Sequence, residues 1–488
     1  MGARELVQRA DGALGDALER TVHAHHRRRL RRIGHAGSLE PPAGGSPWAA
    51  DAAAEPRAGN AIDVLVDGAE ALAAMQEAIS SARSHVHVAG WHVEPGFALT
   101  RDGGAQPLRA LLADVARRAD VRVLAWAGAP LPVIKPTRRM VRGVQRELAD
   151  GSGVRCALDK RERPMHCHHE KLVVVDDEVA FVNGIDMTTL AGDRFDVPGH
   201  PARGRLGWHD AGCRIRGPLV ADVARHFADR WREVEGERLP DPAVPPAAGE
   251  LEAQFVRTVP ERIYDFLPRG EFSILESYLR ALRSAERLVY LENQFLWSPE
   301  VCSILADKLR CPPTDAFRVV VLLPERANNG QDDTRGQLGV LIEADSDGGG
   351  GRFLACTIRS RSGDRSERLY VHAKVAVVDD RWLTVGSANL NAHSLFNDTE
   401  ANVVVCDEDL ARATRLRLWA EHLELPVEAI AADEPARVVD ERWRPTASEQ
   451  LERVRRGEPL THHLLALPGA SKRSARLRGP LDALVVDG

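Results

Sequence analysis

Twice in this sequence, a histidine and a lysine separated by one residue begin an apolar run. His169 and Lys171 begin it within HCHHEKLVVVDDEVAFVNG, and His372 and Lys374 begin it within YVHAKVAVVDDRWLTVGSANLN. Side chains at positions i and i+2 of a β-strand project from one face, so each pair points the same way. An imidazole can attack or carry a proton, and an ammonium group balances anionic charge. The pairs therefore predict chemistry on a phosphodiester.

Each motif continues with the same small features. Asp176 and Asp379 follow the lysines by five residues, off the strand parity and in turns, which indicates a structural or charge-balancing task. A return strand then brings Gly184 and Ser387, each 15 residues after its histidine, and Asn389 follows in GSAN. We expect these small and polar residues to surround a phosphate and to donate hydrogen bonds to its oxygens.

A matched pair of acids follows the motifs. Asp210 in WHDAGCRIRG and Glu400 in NDTEANVVV stand at the head of equivalent strands, each followed by Ala and an apolar run. An imidazole nucleophile needs an acceptor at its far nitrogen, which sets the tautomer and stabilises the developing charge. We expect Asp210 and Glu400 to orient the two histidines; the alternative is a pair of surface carboxylates at strand ends.

The elements that must position these residues alternate between strand and helix in both halves of the chain. Val86 and Val289 open corresponding strands 203 residues apart (289 − 86), and the two histidines have the same separation (372 − 169). An internal duplication is the economical explanation. It predicts an α/β fold of two similar α-β-α lobes, related by a pseudo-two-fold axis, with one active site between them.

Composition shifts mark the expected boundaries. Residues 1–55 are predicted to be an N-terminal helix and a flexible linker, 56–233 the first lobe, 234–252 a Pro-rich acidic linker, 253–430 the second lobe, and 431–488 a C-terminal extension. The basic run HHRRRLRR within the N-terminal helix is either a solvated face or a surface for transient contact with anionic lipid.

The overall composition limits partners and location. With 488 residues, a net charge of -6 and 44% hydrophobic residues, the chain is typical of globular proteins and must bind any anion locally. The seven cysteines, at positions 156, 167, 213, 302, 311, 356 and 406, are expected to be buried thiols without metal-ligand spacing. Without a signal or spanning segment, we expect a cytoplasmic monomer, at most peripheral at the inner membrane face, with no cofactor or metal.

With these motifs, the chain resembles the phospholipase D superfamily, whose signature is two copies of His-x-Lys-x4-Asp, each followed by a Gly/Ser-rich return strand. The segments GWHVEP, WHDAGCRIRGP, QFVRTVP and YLENQF resemble those around the sites of phospholipase D enzymes. The resemblance implies a covalent phosphohistidine, no metal requirement in the chemistry, His169 as nucleophile and His372 as general acid and base. One departure is Asn183, where the family often has a small residue.

The expected site follows from the residues and the resemblance together. The candidates for catalysis are His169, Lys171, Asp176, Asp210, His372, Lys374, Asp379 and Glu400. The candidates for phosphate binding are Lys171, Gly184, Lys374, Ser387 and Asn389.

Four functions are compatible with such a site to different degrees. The first is a phospholipase D-type phosphodiesterase or phosphatidyltransferase on glycerophospholipids, and cardiolipin synthase-like transfer to a lipid alcohol is the same chemistry. A nucleic-acid phosphodiesterase is disfavoured by the acidic balance and by the lack of a basic stripe interleaved with aromatic residues. A non-catalytic scaffold would be expected to have lost one motif, and both are intact.

Overall fold

The computed structural model describes residues 20–41, 46–103, 105–131, 134–164, 166–327 and 331–468. A helix over 20–33 (α1) and the short helix α2 (Ala36–Leu39) precede the first lobe. Leu30 of α1 is fully buried among residues of the second lobe. The N-terminal helix therefore belongs to the folded body.

The first lobe alternates strands and helices as its sequence predicts. Its elements are β1 (Arg57–Val66), α3 (Asp67–Ser81), β2 (His85–Gly90), α4 (Leu108–Val115), β3 (Asp120–Trp126), α5 (Arg138–Ala149), β4 (Arg155–Asp159), β5 (Lys171–Val175), β6 (Val179–Asn183), β7 (Gly207–His209), β8 (Ala211–Arg216) and α6 (Val220–Glu235). The strand order is β4-β3-β2-β5-β6-β8-β1, with β2, β3 and β4 parallel and β5 antiparallel to β2.

Both faces of this sheet are covered, which explains its continuous apolar strands. Val173 of β5 faces a core built with α3 and α4. Leu172 and Val174 face a second core that contains Phe227 of α6 and also Phe255 from the second lobe. The inner face of the first lobe is thus buried partly by its partner lobe.

The second lobe repeats the pattern with additions at its end. Its elements are β9 (Leu251–Val259), β10 (Glu271–Phe272), α7 (Ser273–Ser284), β11 (Leu288–Glu292), α8 (Pro299–Arg310), β12 (Arg318–Leu322), α9 (Gln331–Asp347), β13 (Phe353–Ser362), β14 (Arg365–Val371), β15 (Val375–Val378), β16 (Trp382–Gly386), α10 (Ala392–Phe396), β17 (Glu400–Val405), α11 (Glu408–His422), α12 (Glu428–Ala431), α13 (Pro435–Val438), a π-helical turn (Val439–Trp443), α14 (Arg444–Arg456) and β18 (Leu464–Ala466).

The two sheets have the same topology. The second has the order β13-β12-β11-β15-β16-β17-β9, with β11, β12 and β13 parallel and β15 antiparallel to β11. This matches the first sheet strand for strand, and β9 also pairs with β1, which joins the two sheets. The α/β fold with two similar lobes is confirmed.

Three expectations differ from the structure, two about the flanking segments and one about the cysteines. Residues 46–55, expected to be a flexible linker, pack on the second lobe, where the Ala49 amide donates to Gln254 at 2.9 Å. The C-terminal extension is not separate, because β18 pairs with β13 and Trp443 is fully buried. Cys311 is exposed, whereas Cys167, Cys213, Cys302 and Cys356 are buried as expected. Both flanking segments pack on the second lobe because a few apolar residues within their charged or polar stretches are buried.

Candidate active site

The two motif histidines lie together at the boundary between the lobes. Their ring centroids are 6.4 Å apart, and both side chains are almost completely buried. His169 lies two residues before β5, which begins at Lys171, and His372 lies three residues before β15, which begins directly after Lys374. The prediction of a single site built from both motifs is confirmed.

Each histidine is held by the acid of the opposite lobe. The Nδ1 atom of His169 lies 3.1 and 3.2 Å from the two carboxylate oxygens of Glu400. The Nδ1 atom of His372 lies 2.6 Å from Oδ2 of Asp210. In both rings this leaves Nε2 as the nitrogen directed away from the carboxylate, which is the orientation that nucleophilic or acid–base work requires.

The backbone makes the same crosswise connection. The amides of His169 and Glu170 donate to the carbonyl of Thr399, at 2.9 and 3.1 Å. The amides of His372 and Ala373 donate to the carbonyl of His209, at 2.7 and 3.1 Å. Thr399 and His209 each precede the acid of their own lobe. Each motif is therefore attached to the residue before the acid that serves it.

Small residues make room for the acids. A Cβ atom at Gly184 would overlap with Oδ1 of Asp210. At the corresponding place in the second lobe, the Ser387 hydroxyl donates to Oε2 of Glu400 at 2.5 Å, and the Ser394 hydroxyl donates to Oε1 at 2.5 Å. The structure thus places Gly184 and Ser387 against the carboxylates, not in a position to bind phosphate as expected.

Burial disfavours the charged forms of these acids. It raises the pKa of Asp210 to about 6. It also raises the pKa of Glu400 to about 8, with a further contribution from Asp398. Protonated imidazole at the adjacent nitrogen would offset this cost, so each acid is suited to stabilise the positive charge that its histidine acquires during the reaction.

The two lysines have different partners. The Nζ atom of Lys171 is 3.2 Å from Oδ2 of Asp186. The Nζ atom of Lys374 instead donates to the amide oxygen of Gln294 at 3.4 Å, and Asn389 donates to the same oxygen at 3.2 Å. Both ammonium groups also donate to the backbone carbonyl of the histidine in their own motif, at 2.5 Å.

The cations near the second motif act on each other. Burial, with a smaller contribution from the Lys171 charge, lowers the pKa of Lys374 to about 7. Burial, Lys374 and Arg194 hold the pKa of His372 well below its ordinary value. An incoming phosphoryl anion would reverse these repulsions, so proton uptake is expected to accompany its binding.

The two aspartates of the motifs do not reach the site. Asp176 accepts from the amides of Arg83, Ser84 and His85, at 2.8 to 2.9 Å. Asp379 accepts from three successive amides at positions 286, 287 and 288, at 2.7 to 2.8 Å. Each carboxylate holds the turn that leads into β2 or β11. Their inclusion among the catalytic candidates is therefore corrected to a structural role at the far strand ends.

Sequence reasoning missed three residues that surround the site. The Trp208 ring lies 4.3 Å from the His372 ring, and the buried Arg194 guanidinium stacks 3.4 Å above the Trp208 ring. Gln294 joins Lys374, Asn389 and the Tyr370 hydroxyl, to which it donates at 2.9 Å. Trp208 and Gln294 lie in the quoted segments WHDAGCRIRGP and YLENQF, whereas no sequence pattern marked Arg194.

The chain is similar to several known proteins. A family model described as "Cardiolipin synthase, PLD-like domain" matches residues 318–420, which contain the second motif and Glu400. Phospholipase D alpha 4 of Arabidopsis thaliana is 24% identical over 80% of this chain and 69% of its own length. Phospholipase D A of Dictyostelium discoideum is 24% identical over 75% of this chain and 36% of its own length.

A solved structure agrees in fold. The crystal structure of phosphatidylserine synthase from Haemophilus influenzae Rd KW20 superposes with a TM-score of 0.53 at 13% identity, over 73% of this chain and 84% of that one. The second half of the chain thus matches a PLD-like domain, and most of the chain is similar to phospholipase D enzymes. Within the described ranges, no helix has the length and apolar character to cross a membrane.

The superfamily signature has a local departure at Asn183 that the structure explains. Its side chain lies on the same sheet face as that of Lys171, with which Asn183 is paired across β5 and β6, and it donates to the sulfur of Met75 at 3.4 Å. A Cβ atom at Gly212 on the neighbouring strand would overlap with the Asn183 amide. The asparagine therefore fills the space above a glycine.

Proposed function

We propose that this chain is a phospholipase D-type phosphodiesterase and phosphatidyltransferase that acts on glycerophospholipids through a phosphohistidine. The observation that carries the proposal is the pair of buried imidazoles 6.4 Å apart, each held at Nδ1 by a carboxylate of the opposite lobe. One ring is needed to attack phosphorus and the other to protonate the leaving oxygen. The named phospholipase D relatives support phospholipid as the substrate class.

In the first step, Nε2 of His169 attacks phosphorus and the bond to the leaving alcohol breaks. The alkoxide takes a proton from Nε2 of His372, which becomes neutral, and the phosphatidyl group remains on His169. Lys171 and Lys374 balance the charge of the phosphoryl oxygens. Glu400 stabilises the positive charge on the substituted imidazole of His169, and Asp210 keeps Nδ1 of His372 protonated.

In the second step, water or an alcohol gives its proton to Nε2 of His372 and bonds to phosphorus. The bond from phosphorus to His169 then breaks, which restores both rings. Water yields phosphatidic acid, and an alcohol yields a new phosphodiester. Two displacements on phosphorus predict overall retention of configuration, whereas a direct attack by water would invert it.

Phosphatidyl transfer to a lipid alcohol is the second candidate. It is favoured by the match of residues 318–420 to the model described as cardiolipin synthase. The chemistry and the roles of the residues are the same, and only the acceptor in the second step differs. The choice between the two depends on which acceptor reaches the phosphatidyl adduct.

We further propose that the chain works as a monomer at the surface of an anionic membrane. Both histidines and both acids belong to one chain, which supports a complete site in each monomer. The helix α1 buries Arg29 against Glu261 while exposing Arg28, Arg31 and Arg32. This basic exposed face supports transient contact with anionic headgroups.

The test is product analysis on defined lipids. Purified protein is incubated with vesicles containing phosphatidylcholine, phosphatidylethanolamine and phosphatidylglycerol, with and without a primary alcohol, and the products are identified by mass. We expect phosphatidic acid alone without alcohol and a phosphatidyl-alcohol ester when alcohol is added. Cardiolipin formed from phosphatidylglycerol would favour the second candidate, and His169→Ala with His372→Ala is the inactive control. Failure to cleave any phospholipid would contradict both.

A further inference from the structure

A second constellation of metal-ligand side chains lies at the lobe boundary beside the active site. His166 precedes His169 by three residues in the first lobe. His393 lies in α10 of the second lobe, and Asp398 precedes Glu400 by two residues. None of the three has a part in the proposed reaction.

Their ligand atoms converge. The Nδ1 atoms of His166 and His393 are 3.0 Å apart, and Nδ1 of His166 is 3.2 Å from Oδ1 of Asp398. His393 and Asp398 are almost completely buried, and Oδ2 of Asp398 has no hydrogen-bond partner among the described residues. Two imidazoles that face each other through Nδ1 can share only one proton, whereas a cation between them binds the lone pairs of both nitrogens.

A small divalent cation would bind one nitrogen of each imidazole and one oxygen of the carboxylate. Zinc binds imidazole nitrogen and carboxylate oxygen at about 2.0–2.2 Å, so neighbouring ligands around a tetrahedral ion lie about 3–3.5 Å apart. The distances of 3.0 and 3.2 Å fall in that range. We propose that His166, His393 and Asp398 bind a divalent transition-metal ion of the zinc class. The His166 side chain is 15% exposed, which admits solvent as a fourth ligand.

The constellation does not follow from the internal duplication. The residue 203 positions after His166 is Leu369, and the residue 190 positions before Asp398 is Trp208. These spacings are those that separate the two histidines (372 − 169) and the two acids (400 − 210). The corresponding place in the other half is therefore apolar, and the ligand set belongs to one half alone.

The ion would join the two segments that meet at the His169–Glu400 pair. The Cys167 amide already donates to Oδ1 of Asp398 at 2.9 Å, and the Thr399 amide donates to the Cys167 carbonyl at 3.1 Å. A metal bridge from His166 to Asp398 closes the same connection through side chains. Its role is thus to clamp the lobes where the imidazole and its acid come from different halves of the chain.

A second histidine cluster in the fold does not carry the same inference. His209 lies between Asp67 and Glu292, with each ring nitrogen 2.9 Å from a carboxylate oxygen. Glu292 is also bound by His422 at 2.8 Å. These hydrogen bonds occupy both ring nitrogens of His209 and both carboxylate oxygens of Glu292, and all four side chains are fully buried. The two central residues of this cluster therefore have no ligand atom left for a cation.

Zinc content of the untagged full-length protein tests the proposal. The protein is stripped with a chelator, dialysed against Zn²⁺, and analysed for bound metal. We expect about one ion per chain in the wild type, and little or none in His393→Ala, Asp398→Asn and His166→Asn. His85→Ala, which removes a partly exposed histidine paired with Asp177, is the matched control and should keep the ion.

Thermal unfolding gives a second measurement that does not depend on stoichiometry. Zn²⁺ should raise the Tm of the wild type and of His85→Ala, but not the Tm of His166→Asn, in which the altered side chain lies at the partly exposed edge of the cluster. Circular dichroism checks that each variant is folded. The proposal is overturned if the stripped wild type takes up no zinc, or if zinc remains bound in a folded His166→Asn, Asp398→Asn double variant.

Discussion

The two lysines of the site occupy equivalent positions but have different electrostatic partners. Lys171 has the carboxylate of Asp186 at 3.2 Å. The residue 203 positions after Asp186 is Asn389, a neutral amide that shares Gln294 with Lys374. Because Lys374 has no carboxylate in direct contact among the described residues, its charge is the more available of the two for a phosphoryl group.

This asymmetry predicts a narrow pH optimum. Below a pH of about 6, Asp210 gains a proton and stops accepting from Nδ1 of His372. Above a pH of about 7, Lys374 loses its proton and binds the phosphoryl oxygens more weakly. We therefore expect kcat/KM for a phosphodiester to peak between these values, because it reports the free enzyme. Glu400, whose pKa burial raises to about 8, is protonated in this range and becomes an effective acceptor only as His169 gains positive charge. Initial rates at low substrate concentration across the pH range measure both limbs.

A single substitution tests the origin of the alkaline limb. Asn389→Asp gives Lys374 the kind of partner that Lys171 has, so it should raise the pKa of Lys374 and move the alkaline limb to higher pH. It should also raise KM, because the new carboxylate competes with the phosphate. Asn389→Ala, which adds no charge, is the control. An alkaline limb at the same pH in Asn389→Asp and the wild type would show that another group titrates there.

The roles of the two histidines can be separated by trapping the adduct. With a p-nitrophenyl phosphodiester, His372→Ala should still form a phosphohistidine, because a nitrophenolate leaves without protonation. The adduct should persist, since general-base help worth about 10²–10⁴-fold is missing in the second step. His169→Ala should form none. Intact mass and peptide mapping locate the group, and an adduct on His372 in His169→Ala would reverse the assignment.

At the scale of secondary-structure elements, both lobes pack an asparagine against a glycine on the neighbouring strand, but the two residues lie on opposite strands in the two lobes. In the first lobe, Asn183 of β6 covers Gly212 of β8. In the second, Gly386 of β16 is covered by Asn402 of β17. Each lobe needs one side chain in this space, and either strand can supply it.

This packing predicts strong energetic coupling between Asn183 and Gly212 in a double-mutant cycle. Gly212→Ala should destabilise the protein by at least about 1–3 kcal/mol, because its Cβ would overlap with the Asn183 side chain. Asn183→Gly in the same chain should recover most of the loss by vacating that space. Urea unfolding measures the free energies. The control is Gly143→Ala in α5, where an added Cβ meets nothing, and it should not destabilise the protein. If the effects of Asn183→Gly and Gly212→Ala simply add, the packing of Asn183 over Gly212 is contradicted.

At the scale of the whole molecule, the active site exists only where the two lobes cross. His169 depends on Glu400, and His372 depends on Asp210, so each half supplies the acid that the other half needs. The shared apolar core that contains Leu172 holds the halves together. One chain therefore completes one site.

This arrangement predicts that inactive variants do not complement each other. His169→Ala and His372→Ala, mixed in equal amounts, should regain no activity, because every site in the mixture lacks one histidine. Initial rates and light scattering on the mixture measure activity and mass together. Recovery of up to about a quarter of wild-type activity, with a dimeric mass, would instead indicate exchange of lobes between chains.

Much of this architecture was predictable because its signals are local. Strand parity paired His169 with Lys171, and constant spacing related that motif to His372. The alternation of helices and strands predicted two α/β lobes, which the matching strand orders confirm. The segments that flank the lobes were predicted less well. The apolar residues that anchor them, such as Leu30 and Trp443, are sparse and lie among charged neighbours.

By itself, the sequence determined the duplication, the two pairs of histidine and lysine, and the presence of one orienting acid in each half. Only the tertiary structure decided that the acids serve the histidines crosswise, that Asp176 and Asp379 hold distant turns, and that Ser387 supports a carboxylate. The physical reason is that spacing along a chain predicts which side chains share a strand face. Which faces meet depends on how two complete lobes bury their apolar surfaces against each other.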